Sequence, residues 1–482
     1  MSADGLDAIV VGAGPNGLAA AIELARAGRS VSVYEAADEV GGGMRSAELT
    51  LPGFVHDPCA SVHPLSLASP FFRSLDLGRH GLEWVQPAAP LAHALEPGRS
   101  VLLERDLGAI DDALGRDADA WRRLFGPLVR EWERLVPMLL APVIRPPRHP
   151  LLLARFGVPA LPPARALARI LFREPEARAL FAGMAAHSML PLGAPLTSSF
   201  GLVLGLLAHA VGWPLARGGS GVIARALEAE ARSLEVEIVT SQRVDSLADL
   251  PPARAYLLDV TPRQALAISG DRLGDRYRRQ LEGFRYGPGV FKVDWALDGP
   301  IPWTDVSTAR AATVHLGGPL GEVVASERAV GRARVAARPF VLLVQPTIAD
   351  PSRAPEGKHV AWAYCHVPNG STVDMTAAIE AQVERFAPGF RDCILGRATK
   401  DAPAMEAYDG NYVGGDINGG IGDWRQLLFR PVVRWNPYST PDPAIFLCSS
   451  STPPGGGVHG MSGRLAARSA NRRLGRRGRA PR

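Results

Sequence analysis

Residues 8–17 leave this chain few folds to choose from. Ala8-Ile9-Val10-Val11 is an uninterrupted apolar run of strand length, and it passes without a linker into Gly12-Ala13-Gly14-Pro15-Asn16-Gly17. Leu18, Ala21, Ile22 and Ala25 then repeat at helical spacing, Pro15 suits an early helical position, and Gly28 stands where the helix should stop. A second apolar run, Val31–Tyr34, ends in Glu35 and Ala36. Strand, glycine turn, helix, strand and acid in this order predict a βαβ unit that cradles a dinucleotide. Gly12 permits the tight turn, Gly14 lets backbone N–H groups reach a pyrophosphate, and Gly17 lets the helix lie against the strand. The helix N-terminus at Pro15 and Asn16 would stabilise the phosphates. Glu35 would accept hydrogen bonds from both hydroxyls of a ribose and repel a 2′-phosphate.

Two more glycine-rich loops favour FAD over a nicotinamide cofactor. Gly41, Gly42, Gly43, Met44 and Arg45 follow Glu35 closely and could meet the far side of the pyrophosphate, with Arg45 as counter-charge. Near the other end, an apolar strand over residues 444–448 runs into a loop carrying Gly456, Gly457 and Val458, and a helical pattern starts near Met461. A helix end beneath a flavin would stabilise its reduced, anionic form. Between these segments Arg217-Gly218-Gly219-Ser220-Gly221 opens a helix over residues 222–233, and a strand with Val236 and Ile238 leads to Val244.

At this point the chain resembles the phytoene desaturase-like flavoproteins, within the wider amine oxidase and glutathione-reductase-type FAD superfamily. The resemblance is carried by the N-terminal fingerprint, by GGGMRSAELTLPGFVHDPCASVHPL (residues 41–65) and by LCSSSTPPGGGVHG (residues 447–460). Relatives often carry glycine where Ser449 stands here. The resemblance implies that the Val244 backbone holds the adenine edge. It also implies that Lys292, in Val290-Phe291-Lys292-Val293-Asp294-Trp295, contacts flavin N5 through a water.

The expected architecture is α/β: a Rossmann-like FAD-binding domain, βαβ with a parallel sheet, interleaved with an α+β substrate domain. The cofactor parts are residues 1–69, 217–283 and 424–471, and the substrate or cap parts are residues 70–216 and 284–423, with a basic tail over 472–482. Arginine-spaced apolar clusters over residues 121–189 read as helices of the second domain's core, of a lid, or of a membrane-facing cap. Residues 200–215 are apolar but broken by glycine, histidine and proline, too short for a membrane span. Asp416, in a glycine-flanked loop with Tyr412 and Asn418, reads either as a proton acceptor or as a turn carboxylate bonded to its own backbone. Lys292 is the other catalytic candidate, because an ammonium can shed its proton and a guanidinium cannot.

Charge and cysteines narrow the partners. Removing the six tail arginines from the net charge of +5 leaves the body at −1, nearly neutral, so no nucleic-acid partner is expected. The tail reads either as a solvated end or as a contact for an anionic surface. Cys59, Cys365, Cys393 and Cys448 show no paired spacing, no metal is expected at His56, Asp57, Cys59 and His63, and no leader precedes the first strand, so a cytoplasmic setting with peripheral membrane contact is expected. The functional expectation is a dehydrogenase taking a hydride and a proton from a lipophilic, carotenoid-like substrate, with an electron acceptor such as oxygen, a quinone or a protein. The alternatives are an amine or alcohol oxidase using Lys292, and a flavin-binding scaffold without chemistry.

Overall fold

A computed structural model of the chain describes residues 6–144 and 146–476. Five parallel strands form one sheet in the order Ile445–Leu447, Ala253–Leu258, Leu6–Val11 (β1), Val31–Tyr34 (β2), Glu237–Val239. Such strands are covered on both faces, which is why β1 is a continuous apolar run and not an alternating one. Helix α1, Pro15–Arg26, connects β1 to β2 and buries Leu18, Ala21 and Ile22 completely. Gly28 adopts φ +74° just beyond it, in open space, as a helix-ending residue should. Because all five strands run the same way, their carboxyl ends share one edge, and ligands of open α/β sheets bind beyond that edge.

Seven strands form the second sheet, in the order Ile394–Lys400, Gly289–Leu297, His359–Val367, Val341–Val344, Ala311–Leu316, Ala89–Glu96, Arg99–Leu103. All neighbours are antiparallel except Ala311–Leu316 with Ala89–Glu96, so the two insertions build one sheet together. Side chains alternate between its faces. Phe291, Val293 and Trp295 join Ile379 and Val383 of helix Thr376–Phe386 in one core. Lys292 and Asp294 point the other way, in register with Tyr364 and Trp362.

Part of the segment over residues 121–189 packs as core. Trp121, Phe125, Phe172 and Phe181 are fully buried and pack as core, with Trp121 Nε1 donating to His209 Nε2 at 2.9 Å. Leu153, Phe156, Gly157 and Ala160 of helix Pro150–Ala160 line a cavity. Among the described residues no helix is long and apolar enough to cross a membrane. The last helix, Met461–Arg476, runs into the stretch expected to be tail and buries Leu474; residues 477–482 lie outside the described residues.

Candidate functional site

The carboxyl edge of the parallel sheet opens on a cavity of about 1510 Å³. Gly12, Gly14, Pro15, Asn16, Glu35, Ala36, Gly42, Gly43, Arg45, Val244, Gly456, Gly457 and Val458 all line it. Gly17 and Met44 stand behind this wall and shape it. A Cβ on Gly17 would lie 1.9 Å from the Gly12 carbonyl oxygen, so glycine alone lets α1 start so close to β1. Met44 is fully buried in the short helical turn Gly42–Met44, which brings Gly42 against Gly14: a Cβ on Gly42 would sit 3.3 Å from the Gly14 Cα.

Glu35 ties the glycine loops together. Its Oε2 accepts from the Ala13 N–H at 2.7 Å, and its Oε1 accepts from the Ala37 N–H at 2.9 Å and faces Arg45 Nη2 at 3.4 Å. The Gln242 N–H donates to the Glu35 carbonyl at 2.9 Å, which sets Val244 beside Glu35 on the cavity wall. Arg45 lies over the Tyr408 ring, 5.7 Å from its centroid. Among the described residues, Arg45 Nε and Asn16 Oδ1 are buried without a hydrogen-bond partner. Buried polar atoms rarely stay unpaired in a finished structure, so a polar ligand across the Gly12–Gly17 turn would complete them. The residues present fit an adenine dinucleotide.

Asp259 is a member of this cradle that the sequence reading missed. It follows strand Ala253–Leu258 at the ligand-binding edge, and its Oδ2 accepts from the Gly17 N–H at 2.6 Å. Burial, helped by the charges of Asp409 and Glu35, pushes its carboxyl up to about 8. Its place at the end of a parallel strand was the available signal. On the far side, His459 is structural: its Nε2 donates to the Gly455 carbonyl at 3.1 Å, and its Nδ1 accepts from the Met461 N–H at 3.0 Å, opening the last helix.

Beyond the cradle the cavity runs between Cys59, Trp213, Leu342, Trp362, Tyr364 and Tyr412, then along Leu139, Leu140, Leu153, Phe156, Leu161 and Phe200 at the cap. Trp362 and Tyr364 lie nearly parallel, at 12° with centroids 6.0 Å apart. The structure does not bring the two catalytic candidates to this wall. Lys292 shares a sheet face with Trp362 and Tyr364, but its Nζ pairs with Asp294 and rests 4.9 Å over the Trp362 ring, while His56 Nδ1 stands 3.5 Å from the same carboxylate. Asp416 is the turn carboxylate: fully buried, it accepts backbone N–H bonds from Gly287 at 2.6 Å, Asn418 at 2.9 Å and Gly420 at 2.8 Å. The alternation that predicts the strand through Lys292 carries no information about the short strand Val55–His56 that delivers His56 to Asp294.

Comparison with known proteins agrees with this geometry. Residues 10–75 match the family model of an NAD(P)-binding Rossmann-like domain. The rat pyridine nucleotide-disulfide oxidoreductase domain-containing protein 2 is 27% identical over 96% of this chain and 92% of its own length. Phytoene dehydrogenase of Streptomyces griseus is 26% identical over 75% of this chain and 73% of its own. A solved putrescine oxidase, bound to putrescine, superposes with a TM-score of 0.61 at 18% identity, covering 98% of each chain. Along most of its length the chain is thus similar to oxidoreductases that include a phytoene dehydrogenase, and it shares the fold of a putrescine oxidase.

Proposed function

We propose that the protein binds FAD and removes a hydride and a proton from a lipophilic, isoprenoid-like substrate. The continuity of one cavity from the dinucleotide cradle to the apolar cap carries this reading. Pockets for a single drug-sized ligand hold about 300–1,000 Å³, so a volume of 1510 Å³ accommodates a cofactor and a second molecule. Glu35, Val244 and Arg45 would hold the adenosine and pyrophosphate, and Gly456, Gly457 and Val458 with the following helix would hold the other end. Bound there, FAD would supply the hydride acceptor. The chain's own work is positioning and water exclusion: Trp213, Trp362 and Tyr364 wall the chamber, and the Leu139-to-Phe156 channel orients an extended apolar molecule.

Amine or alcohol oxidation is the second reading, favoured by the parallel Trp362 and Tyr364 rings and by the fold shared with putrescine oxidase. One experiment tests both. Protein reconstituted with FAD should retain the yellow cofactor through gel filtration and, at a hundredfold excess over Kd, gain about 2.7 kcal/mol of stability. Mixed anaerobically with a panel of polyenes, amines and alcohols, it should bleach with the polyene class under the first reading and with the amine class under the second. Failure to take up FAD would defeat both, and a flavin that no substrate bleaches would leave the scaffold.

A lipid surface fits the mouth of the channel. Leu151 and Val158, exposed at 86% and 69%, are seven residues apart on one face of helix Pro150–Ala160, and Leu161 and Ile170 are exposed nearby. Arg148, Arg155 and Arg169 stand among them. An amphipathic basic surface of this kind enters anionic bilayers through its apolar residues. The protein should co-sediment with vesicles containing phosphatidylserine, and Leu151→Asp with Val158→Asp should weaken that binding roughly tenfold or more. Equal sedimentation of the double variant would remove this contact.

A further inference from the structure

Glu35, Asp259, Asp409 and Arg45 line the cradle, three carboxyls to one guanidinium. A dinucleotide adds a pyrophosphate with two negative charges, and three ionised carboxylates would repel it from the turn shaped to hold it. Glu35 and Asp409 have the guanidinium as counter-charge. Glu35 Oε1 faces Arg45 Nη2 at 3.4 Å, while Asp409 accepts from the Asn411 N–H at 2.9 Å and feels the Arg45 charge, which opposes the upward push of burial. Asp259 has no such partner. It is 6% exposed, its Oδ2 accepts from the Gly17 N–H at 2.6 Å, and among the described residues its Oδ1 has no hydrogen-bond partner.

Cβ atoms on Gly14 and Gly17 would each lie 3.0 Å from Asp259 Oδ2, and one on Gly12 would lie 3.0 Å from the Asp259 carbonyl oxygen. Asp259 therefore rests against all three glycines of the fingerprint turn, at the helix start where phosphates bind. The groups facing its carboxyl are Glu35 at the end of β2, Asp409 beyond helix Ala402–Tyr408 and Cys448 beyond strand Ile445–Leu447. Both acids work against its ionisation, and burial pushes the Cys448 thiol well up, so it stays neutral. Elsewhere on the wall burial pushes the Tyr34 and Tyr408 hydroxyls up, and Arg243 and Asp245 form an exposed pair at 2.9 Å. Among the described residues none supplies Asp259 with a cation. A carboxyl held at about 8 is an uncharged acid at pH 7. With Oδ2 accepting from Gly17, the hydrogen sits on Oδ1, and the cradle presents a donor to a phosphate oxygen where an ionised group would present a repelling charge.

We propose that Asp259 is a cofactor-binding residue in its carboxylic acid form, and that the bound dinucleotide holds one proton on it. The inference rests on reading the cradle as the site of an adenine dinucleotide. Below about pH 8 the free protein already carries this proton; above it, each binding event draws the proton from solvent, so affinity falls as pH rises.

The test is binding of FAD to the full chain between pH 7 and 9, read by quenching of flavin fluorescence, with ADP-ribose as a second probe read by calorimetry. ADP-ribose keeps the adenosine and the pyrophosphate but has no flavin ring to titrate. Both Kd values should rise about tenfold from pH 7 to pH 9, and calorimetry at pH 9 in two buffers of different ionisation enthalpy should show uptake of about one proton per ligand bound. Asp259→Asn should flatten the slope and abolish the uptake. Asp409→Asn, which removes a neighbouring like charge, should keep the uptake and move its midpoint to lower pH. A Kd that does not change with pH, an uptake that survives Asp259→Asn, or one that disappears in Asp409→Asn would each overturn the inference while bound FAD left the flavin reading standing. Proton uptake with ADP-ribose by protein that binds no FAD would keep the inference and sink the flavin reading, and binding of neither probe would sink both.

Discussion

Asp57→Ala is expected to cost about 3–5 kcal/mol of folding stability, the range for leaving one member of a buried charge pair alone. Asp57 and Arg353 are 0% and 1% exposed, with Arg353 Nη2 2.9 Å from Asp57 Oδ2. The contact is a close charge pair and not an aligned hydrogen bond, since Nη2 has no hydrogen-bond partner among the described residues, while Nε donates to the Val55 carbonyl at 3.0 Å. Asp57 also accepts from Ser46 Oγ at 2.6 Å, from Ser61 Oγ, and from the Ser220 N–H at 2.9 Å. It thus pins the second glycine loop, the start of helix Gly221–Ser233 and Arg353, in the connection between two strands of the second sheet, to one point. Arg353→Met should cost a similar amount, and Asp57→Asn combined with Arg353→Met should recover part of the loss, because no lone charge remains buried.

The same carboxylate sets an acid limit. Burial alone would raise its pKa, but Arg353 and the bonds from Ser46, Ser61 and Ser220 outweigh burial and hold it below the ordinary value. A depressed folded-state pKa gives stability that is present above the unfolded value, about 3.9, and lost as pH falls through the folded one. Urea midpoints measured against pH should therefore fall more steeply below about pH 4 in the wild type than in Asp57→Asn. A single variant within about 1 kcal/mol of wild type would show that Asp57 is not the pin described here.

Gly17→Ala is the second large effect. Its Cβ would lie 1.9 Å from the Gly12 carbonyl oxygen and 2.9 Å from the Gly12 carbonyl carbon. Both are backbone atoms with no rotamer to yield, so the turn itself must shift, at about 3 kcal/mol. That turn also holds the Gly17 N–H on Asp259, and moving it should abolish FAD uptake. Gly28→Ala is the control: Gly28 has φ +74° but open space around it, so only backbone strain of about 1 kcal/mol is expected and FAD uptake should persist. Melting curves with and without FAD separate the two cases. Similar losses for both variants would mean that the close approach at Gly17 is not what shapes the cradle.

Most of the cradle was legible because its signals are local. Gly12, Gly14 and Gly17 answer to steric needs within one turn, and Glu35 and Arg45 follow within a few dozen residues. Even Val244 and Gly456 stand next to their own strand or helix boundary. The strand through Lys292 was equally legible. Whether its lysine faces the cofactor or solvent, and what it meets there, was not. Lys292 finds Asp294 two residues along its own strand, but His56, arriving on the short strand Val55–His56, completes the buried cluster. Asp416 had two readings in the sequence, and three converging N–H groups chose the turn.

The sequence by itself determined a parallel nucleotide-binding sheet, its glycine turns and the presence of a second, α+β domain, because strand period, helix period and turn sterics act over a few residues. Only the tertiary structure decided that Asp57 meets Arg353, that Asp259 backs the fingerprint turn, and that His187 meets His315. Those contacts join segments far apart in the chain, and nothing in local propensity records which buried charge or ring will face which.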